Sequence, residues 1–176
     1  MSAVNWPALS EILKDRYENV LVTNARKFRF WASLMMEADY QLGKENLLAT
    51  DCSGTVCLPL YAMGYNIRIT AQELFDTVFK QRVSYVTMKN VHALFFQKSD
   101  GRITHVAPFV GPDVCLNAGD PVSLRTSSYL IQWFEGHEHA EALCRELDWD
   151  VAEDMSRTGQ HAWDIDPMLK LLRGDL

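Results

Sequence analysis

The spacing of apolar residues changes once along this chain, and that change limits the fold more than any other feature. Up to about residue 80 the apolar side chains recur every three or four positions. Beyond it they come in short runs rich in β-branched and aromatic residues. Leu9, Ile12, Leu13, Val20 and Leu21 trace a helical stripe over 5–21, with Pro7 suited to a first turn. Phe28, Trp31, Met35, Ala38 and Leu42 trace another over 24–42, and Gly43 is placed to cap it. Val56, Cys57, Leu60 and Met63 continue the period from Cys52 to Gly64, where Pro59 should kink the helix by removing one backbone donor. Thr70-Ala71-Gln72-Glu73 reads as a capping box that opens a helix through Lys80. Four strands are then expected over 83–87, 91–96, 103–110 and 114–117, with Asp100-Gly101 and Gly111-Pro112-Asp113 as turns. Helices precede sheet. The expected class is α+β, with N-terminal helices packed on a small antiparallel sheet.

The last fifty residues differ in charge. Residues 1–126 carry 13 basic and 12 acidic side chains, whereas 127–176 carry 4 and 11, so the net charge of −6 belongs to the tail. Helices are expected there over 140–147 and 166–172, the second with Asp166 as N-cap and Pro167 following it. A chain of 176 residues that is 48% hydrophobic buries a sizeable core, which excludes the disordered classes. No dense Lys/Arg run marks a nucleic-acid partner. No apolar run is long enough to span a membrane. The first twenty residues lack a Sec signal pattern, so the expectation is a protein cytoplasmic at synthesis. Four cysteines without a CxxC pair make neither a disulfide framework nor a usual zinc site. His137, Glu138, His139 and Glu141 invite a metal reading, but on a helix residues two apart point to different faces, so no metal or cofactor is expected.

The chemistry concentrates in Asp51-Cys52-Ser53-Gly54, which puts a cysteine where a loop becomes a helix. Free N–H groups at a helix start favour a thiolate and offer an oxyanion hole. A nucleophilic cysteine needs a base, and His105 opens a strand. If Gly111-Pro112-Asp113 is a three-residue loop, Val110 pairs with Val114 and Ala107 faces Asn117. Asn117 and His105 are then diagonal neighbours roughly 7–8 Å apart between Cβ atoms, close enough for the amide to orient the imidazole. Asp120 is the alternative orienting group.

These residues resemble the NlpC family of papain-like cysteine peptidases, which cleave peptide bonds in bacterial peptidoglycan. The resemblance runs over about 30–120. It includes Gln41-Leu42-Gly43-Lys44 before the nucleophile, Ala93-Leu94-Phe95-Phe96, His105-Val106-Ala107 and Asn117-Ala118. It implies an NlpC-type fold, with 1–126 as catalytic domain and 127–176 as an acidic, mainly helical extension packed on it. Cys52 would be the nucleophile, His105 the base and Asn117 its orienting partner. Asp51 and Ser53 would help hold a peptidoglycan stem peptide. The family's Tyr-x-Trp-Gly-Gly loop has no counterpart in 45–50, and Tyr40 is the nearby tyrosine. The type VI amidase effectors and phage lysis or tail-tip peptidases share the motif logic and the missing export signal, which implies action at the cell wall by phage or non-Sec export. Hydrolase and acyltransferase stay open at this level, as does a catalytically inactive binding or structural module, such as a phage tail component. A protein partner for the acidic tail stays open too.

Overall fold

The computed structural model describes residues 23–44 and 46–158. The helices expected over 5–21 and 166–172 lie outside the described residues. The first element is helix α1 (Asn24–Ser33), capped by the Thr23 hydroxyl accepting from the Arg26 amide. It ends well before the 42 that apolar spacing suggested. Met35 and Ala38 are buried as that spacing required, but on an irregular turn in which Glu37 takes a positive φ of 67°. Backbone pairing accounts for the early end: Glu37 N–H donates to Val122, Ala38 accepts from Val122, and Asp39 N–H donates to Leu48. The chain thus enters a short strand, β1 (Asp39–Tyr40), parallel to β2 (Ala49–Thr50).

Helix α2 (Gly54–Ala62) is buried along its whole length, as a helix apolar on every side must be. Pro59 sits inside it without ending it, and Gly64 leaves it at φ 98°. Thr70 and Glu73 form the expected capping box of α3 (Ala71–Glu73), which runs on as a π-helical turn, Leu74–Val78, rather than to Lys80.

Six strands make the main sheet: β3 (Gln81–Arg82), β4 (His92–Gln97), β5 (Ile103–Gly111), β6 (Val114–Asn117), β7 (Ser123–Thr126) and β8 (Glu141–Glu146), in the spatial order β3-β8-β4-β5-β6-β7. The strand expected over 83–87 is displaced to 81–82, and β7 was not foreseen. The largest correction concerns 140–147. That segment is strand β8, paired antiparallel with β4 on one side and β3 on the other, not a helix. Its Ala, Glu, Leu and Arg content favours helix locally. β4, however, is buried from His92 to Phe96 on both faces and leaves one edge for a partner, and tertiary pairing overrides local propensity. The acidic extension therefore supplies an interior strand to the sheet.

Alternation along β4 splits the core. Ala93 and Phe95 face one cluster under α1, α2 and α3, with Phe28, Leu58, Leu60 and Leu74 fully buried. Leu94 and Phe96 face a second cluster with Ala107, Phe109 and Cys115. Helix α4 (Ser127–Trp133) and its π-helical continuation, Phe134–Glu138, cover that second face through Leu130 and Phe134. Helix α5 (Trp149–Thr158) docks by burying Ala152, by a Trp149 indole N–H to Asn90 Oδ1 bond of 2.7 Å, and by the Ser156 hydroxyl accepting from the Asn66 amide. Among the described residues no helix is long and apolar enough to cross a membrane.

Candidate active site

The loop that carries Cys52 is built around a buried carboxylate. Asp51 Oδ1 accepts from the Ser53 hydroxyl at 2.8 Å and the Gly54 amide at 2.7 Å. Its Oδ2 accepts from the Gly43 amide at 2.8 Å and from Arg68 at 3.0 Å. Arg68 also donates to the Ser53 hydroxyl at 2.8 Å. Burial alone would raise the Asp51 carboxyl, but the Gly54 amide, Arg68, Ser53 and the Gly43 amide together hold it below the usual carboxylate range. Gly54 admits no side chain: a Cβ there would lie 2.2 Å from Thr50 Oγ1 and 2.9 Å from the Lys44 carbonyl oxygen. The motif thus reads as Asp anchoring the turn, Ser and Arg bracing it, and Gly allowing the helix to pack under it.

Cys52 lies two residues before α2 and is half-buried, and the Val106 backbone on β5 and the Ser53 and Cys52 backbone act to lower its thiol. The expectation that the helix start favours a thiolate is not met. Burial first, and then the adjacent Asp51 charge, raise the Cys52 thiol above its ordinary value despite those backbone groups. The Gly54 amide is already spent on Asp51, and the Thr55 amide on the Asp51 carbonyl. The backbone groups that pull the thiol down belong to Val106, Ser53 and Cys52, not to the body of the helix.

His105 Nε2 lies 2.9 Å from Asn117 Oδ1. With the amide oxygen as acceptor, Nε2 carries the proton and Nδ1 is left as the basic nitrogen. Pairing of Phe109 with Cys115 sets the register that carries Asn117 to this position. The hairpin loop itself is one residue shorter than expected, since Gly111 pairs with Val114 and an irregularity between Phe109 and Gly111 absorbs the difference. Of the two candidate orienting groups, Asn117 is in contact with the imidazole. Asp120 is an exposed residue of the same cleft.

The His105 ring is sealed by aromatics. Phe134 stacks on it with ring centroids 4.8 Å apart and 27° between planes, and Phe96 stacks on Phe134 at 4.0 Å. Burial pushes the imidazole down to about 4, against the upward pull of the Asn117 bond and the Asp51 charge. The Asp51 charge thus acts on both Cys52 and His105. A cleft of about 560 Å³ opens over His105 and Asn117, lined also by Tyr40, Tyr129, Trp133 and Phe134. Burial, then the charges of Cys52 and Asp51, raise the Tyr40 phenol. Two contributors had escaped the sequence reading. Arg68 meets Asp51 across seventeen positions, and Phe134 meets His105 across twenty-nine. No local pattern marks either.

The remaining cysteines lie elsewhere. Cys57 donates to the Ile69 carbonyl at 3.5 Å and is pushed up by burial to about 11. Cys115 packs in the second core cluster, with Cys144 against it. In the 137–141 segment His137 stacks on Trp133 and Glu138 pairs with Lys98 at 2.7 Å, and among the described residues no three or more His, Cys, Asp or Glu side chains are grouped as metal ligands.

No family model matches the chain, and no curated protein matches it in sequence. Solved structures do. NlpC2 from Trichomonas vaginalis superposes with a TM-score of 0.55 at 13% identity, over 72% of this chain and 48% of that one. NlpC1 from the same organism gives 0.53 at 15%, over 70% and 44%. A Staphylococcus aureus protein described as similar to lipoprotein, NLP/P60 family, gives 0.53 at 20%, over 68% and 40%. The chain spans less than half the length of each of these structures. The α+β fold that the sequence resemblance implied is the fold of this chain: that of the NlpC/P60 proteins.

Proposed function

We propose that this chain is a cysteine peptidase or amidase that hydrolyses an amide bond in the peptide stem of bacterial peptidoglycan. The observation that carries the reading is the 2.9 Å contact between His105 and Asn117, with the Asp51 charge acting on both this imidazole and the Cys52 thiol. Cys52 is the nucleophile. His105 Nδ1 takes the thiol proton as the sulfur attacks the amide carbonyl, and the Cys52 and Ser53 amides serve the developing oxyanion. The imidazolium then gives its proton to the leaving amine. Water, deprotonated by His105, releases the acyl group from the thioester. Because the thiol is raised and the imidazole lowered, the resting pair is neutral and the thiolate forms as substrate is attacked. Asn117 holds the imidazole tautomer. Asp51 and Ser53 form the base of the loop where the resemblance gives them a part in holding substrate.

The same neutral pair favours a second reading, an inactive module that uses the cleft only to bind. Mass spectrometry of muropeptides after incubation separates the two. The hydrolase produces a new amine and a new carboxylate at one amide bond with the wild-type protein and none with Cys52→Ala. An unchanged digest with folded wild type supports the module.

A further inference from the structure

The cleft that holds His105 is completed by residues beyond the reach of the sequence resemblance. Strand β7 forms one edge of the main sheet and leads through Thr126 directly into α4. Along α4 and the first residue of its π-helical continuation, the i, i+4 spacing sorts four side chains into two pairs. Leu130 and Phe134 are buried against the sheet, whereas Tyr129 and Trp133 stay 50% and 37% exposed and line the cleft. Two part-exposed aromatic side chains in one concave site, with Arg125 over one face of Tyr129 and His137 stacked on one face of Trp133, make an aromatic shelf suited to peptide planes and aliphatic carbon.

Arg125 stands over this shelf. Its backbone is fixed by pairing with Cys115, and its guanidinium carbon lies 5.6 Å from the centroid of the Tyr129 ring. It lines the cleft and is exposed, and it has no carboxylate within ion-pair distance among the described residues. The cleft's two acids do not answer it: Glu138 is bound by Lys98, and Asp120 makes no ion pair with it. A planar guanidinium steadied on an aromatic ring at the wall of an open cleft matches a carboxylate in a two-point bond better than any neutral group.

We propose that Arg125, on the Tyr129–Trp133 shelf, binds a free carboxylate of the substrate, so that the cleft selects an acidic peptide over its amidated counterpart. This rests on the hydrolase reading for the identity of the peptide. It goes beyond that reading by assigning the 123–138 segment the choice of substrate.

The test is isothermal titration of the folded Cys52→Ala protein with a synthetic stem peptide that carries free carboxylates, and with the same peptide converted to carboxamides. The acidic peptide should bind more tightly by on the order of tenfold to a hundredfold, the range of a charge-assisted bond. In Cys52→Ala/Arg125→Gln the two peptides should bind alike, and Arg125→Lys should restore part of the difference. Equal binding to the Cys52→Ala protein, discrimination that survives Arg125→Gln, or no binding of either peptide overturns the proposal. The titration needs no turnover. Discrimination by a wild-type protein that cuts neither peptide would count against the hydrolase reading and leave this one standing.

Discussion

Replacing Phe134 with alanine tests how the extension controls the proposed base. The imidazole of His105 sits near 4 because it is buried, and Phe134 supplies one of its two faces at 4.8 Å. The gap from the ordinary 6.5 amounts to about 3 kcal/mol in favour of the neutral ring. Opening one face to the cleft returns a third to a half of that. The His105 midpoint should therefore rise by about one pH unit, which is roughly 1.4 kcal/mol. NMR titration of the His105 ring in labelled protein reads the midpoint without any substrate, and the acid limb of kcat/KM should move with it. Phe134 is 8% exposed at the cleft wall, so its loss also costs stability, up to about 3 kcal/mol, at the low end for a buried phenylalanine. Phe134→Tyr keeps the ring and should keep the midpoint near 4. A folded Phe134→Ala protein whose His105 midpoint stays near 4, or a wild type that titrates near 6.5, would refute the reasoning.

Stability should also follow pH in a defined window. His105 has its folded value below its unfolded one, so between about 4 and 6.5 the unfolded chain binds the extra proton and stability falls as pH falls, by up to about 3 kcal/mol from this group, levelling off below 4. His92 is lowered by burial as well and adds in the same direction. Urea unfolding at pH 7 and pH 4 checks this, and a His105→Gln protein with the same pH slope as wild type would contradict it. Arg68→Ala should cost about 3–5 kcal/mol, since it leaves the Asp51 carboxylate, 5% exposed, without its cation. A loss below 1 kcal/mol in urea would show that the Gly43, Ser53 and Gly54 donors suffice.

How far the sequence told these features depends on the range of the contacts that set them. The 105–117 hairpin was legible because strand parity and a Gly-Pro-Asp turn act within a dozen residues, and a local irregularity absorbed the one-residue error in loop length. The Thr70–Glu73 capping box is equally local, and it appears as read. The 141–146 strand was not legible. Its residues favour helix, and only the open edge of β4, some fifty positions earlier, makes it a strand. Met35 and Ala38 kept helical spacing past the end of α1, because burial can be met by a turn while Val122 claims the backbone. At the site, the residue types in Asp51-Cys52-Ser53-Gly54 pointed to the chemistry, but the sense of the Cys52 shift follows from burial and from the Asp51 charge, which the neighbouring donors keep ionised, and a motif states neither.

The central claim is that Cys52, His105 and Asn117 form one hydrolytic unit. Its most direct test is the rate of stem-peptide hydrolysis by folded Cys52→Ala, His105→Ala and Asn117→Ala proteins beside the wild type. The account predicts no cleavage above background for the first two, and a loss of on the order of tenfold to a hundredfold for Asn117→Ala, which removes the orienting contact and keeps nucleophile and base. Wild-type rates in Cys52→Ala or His105→Ala would contradict it.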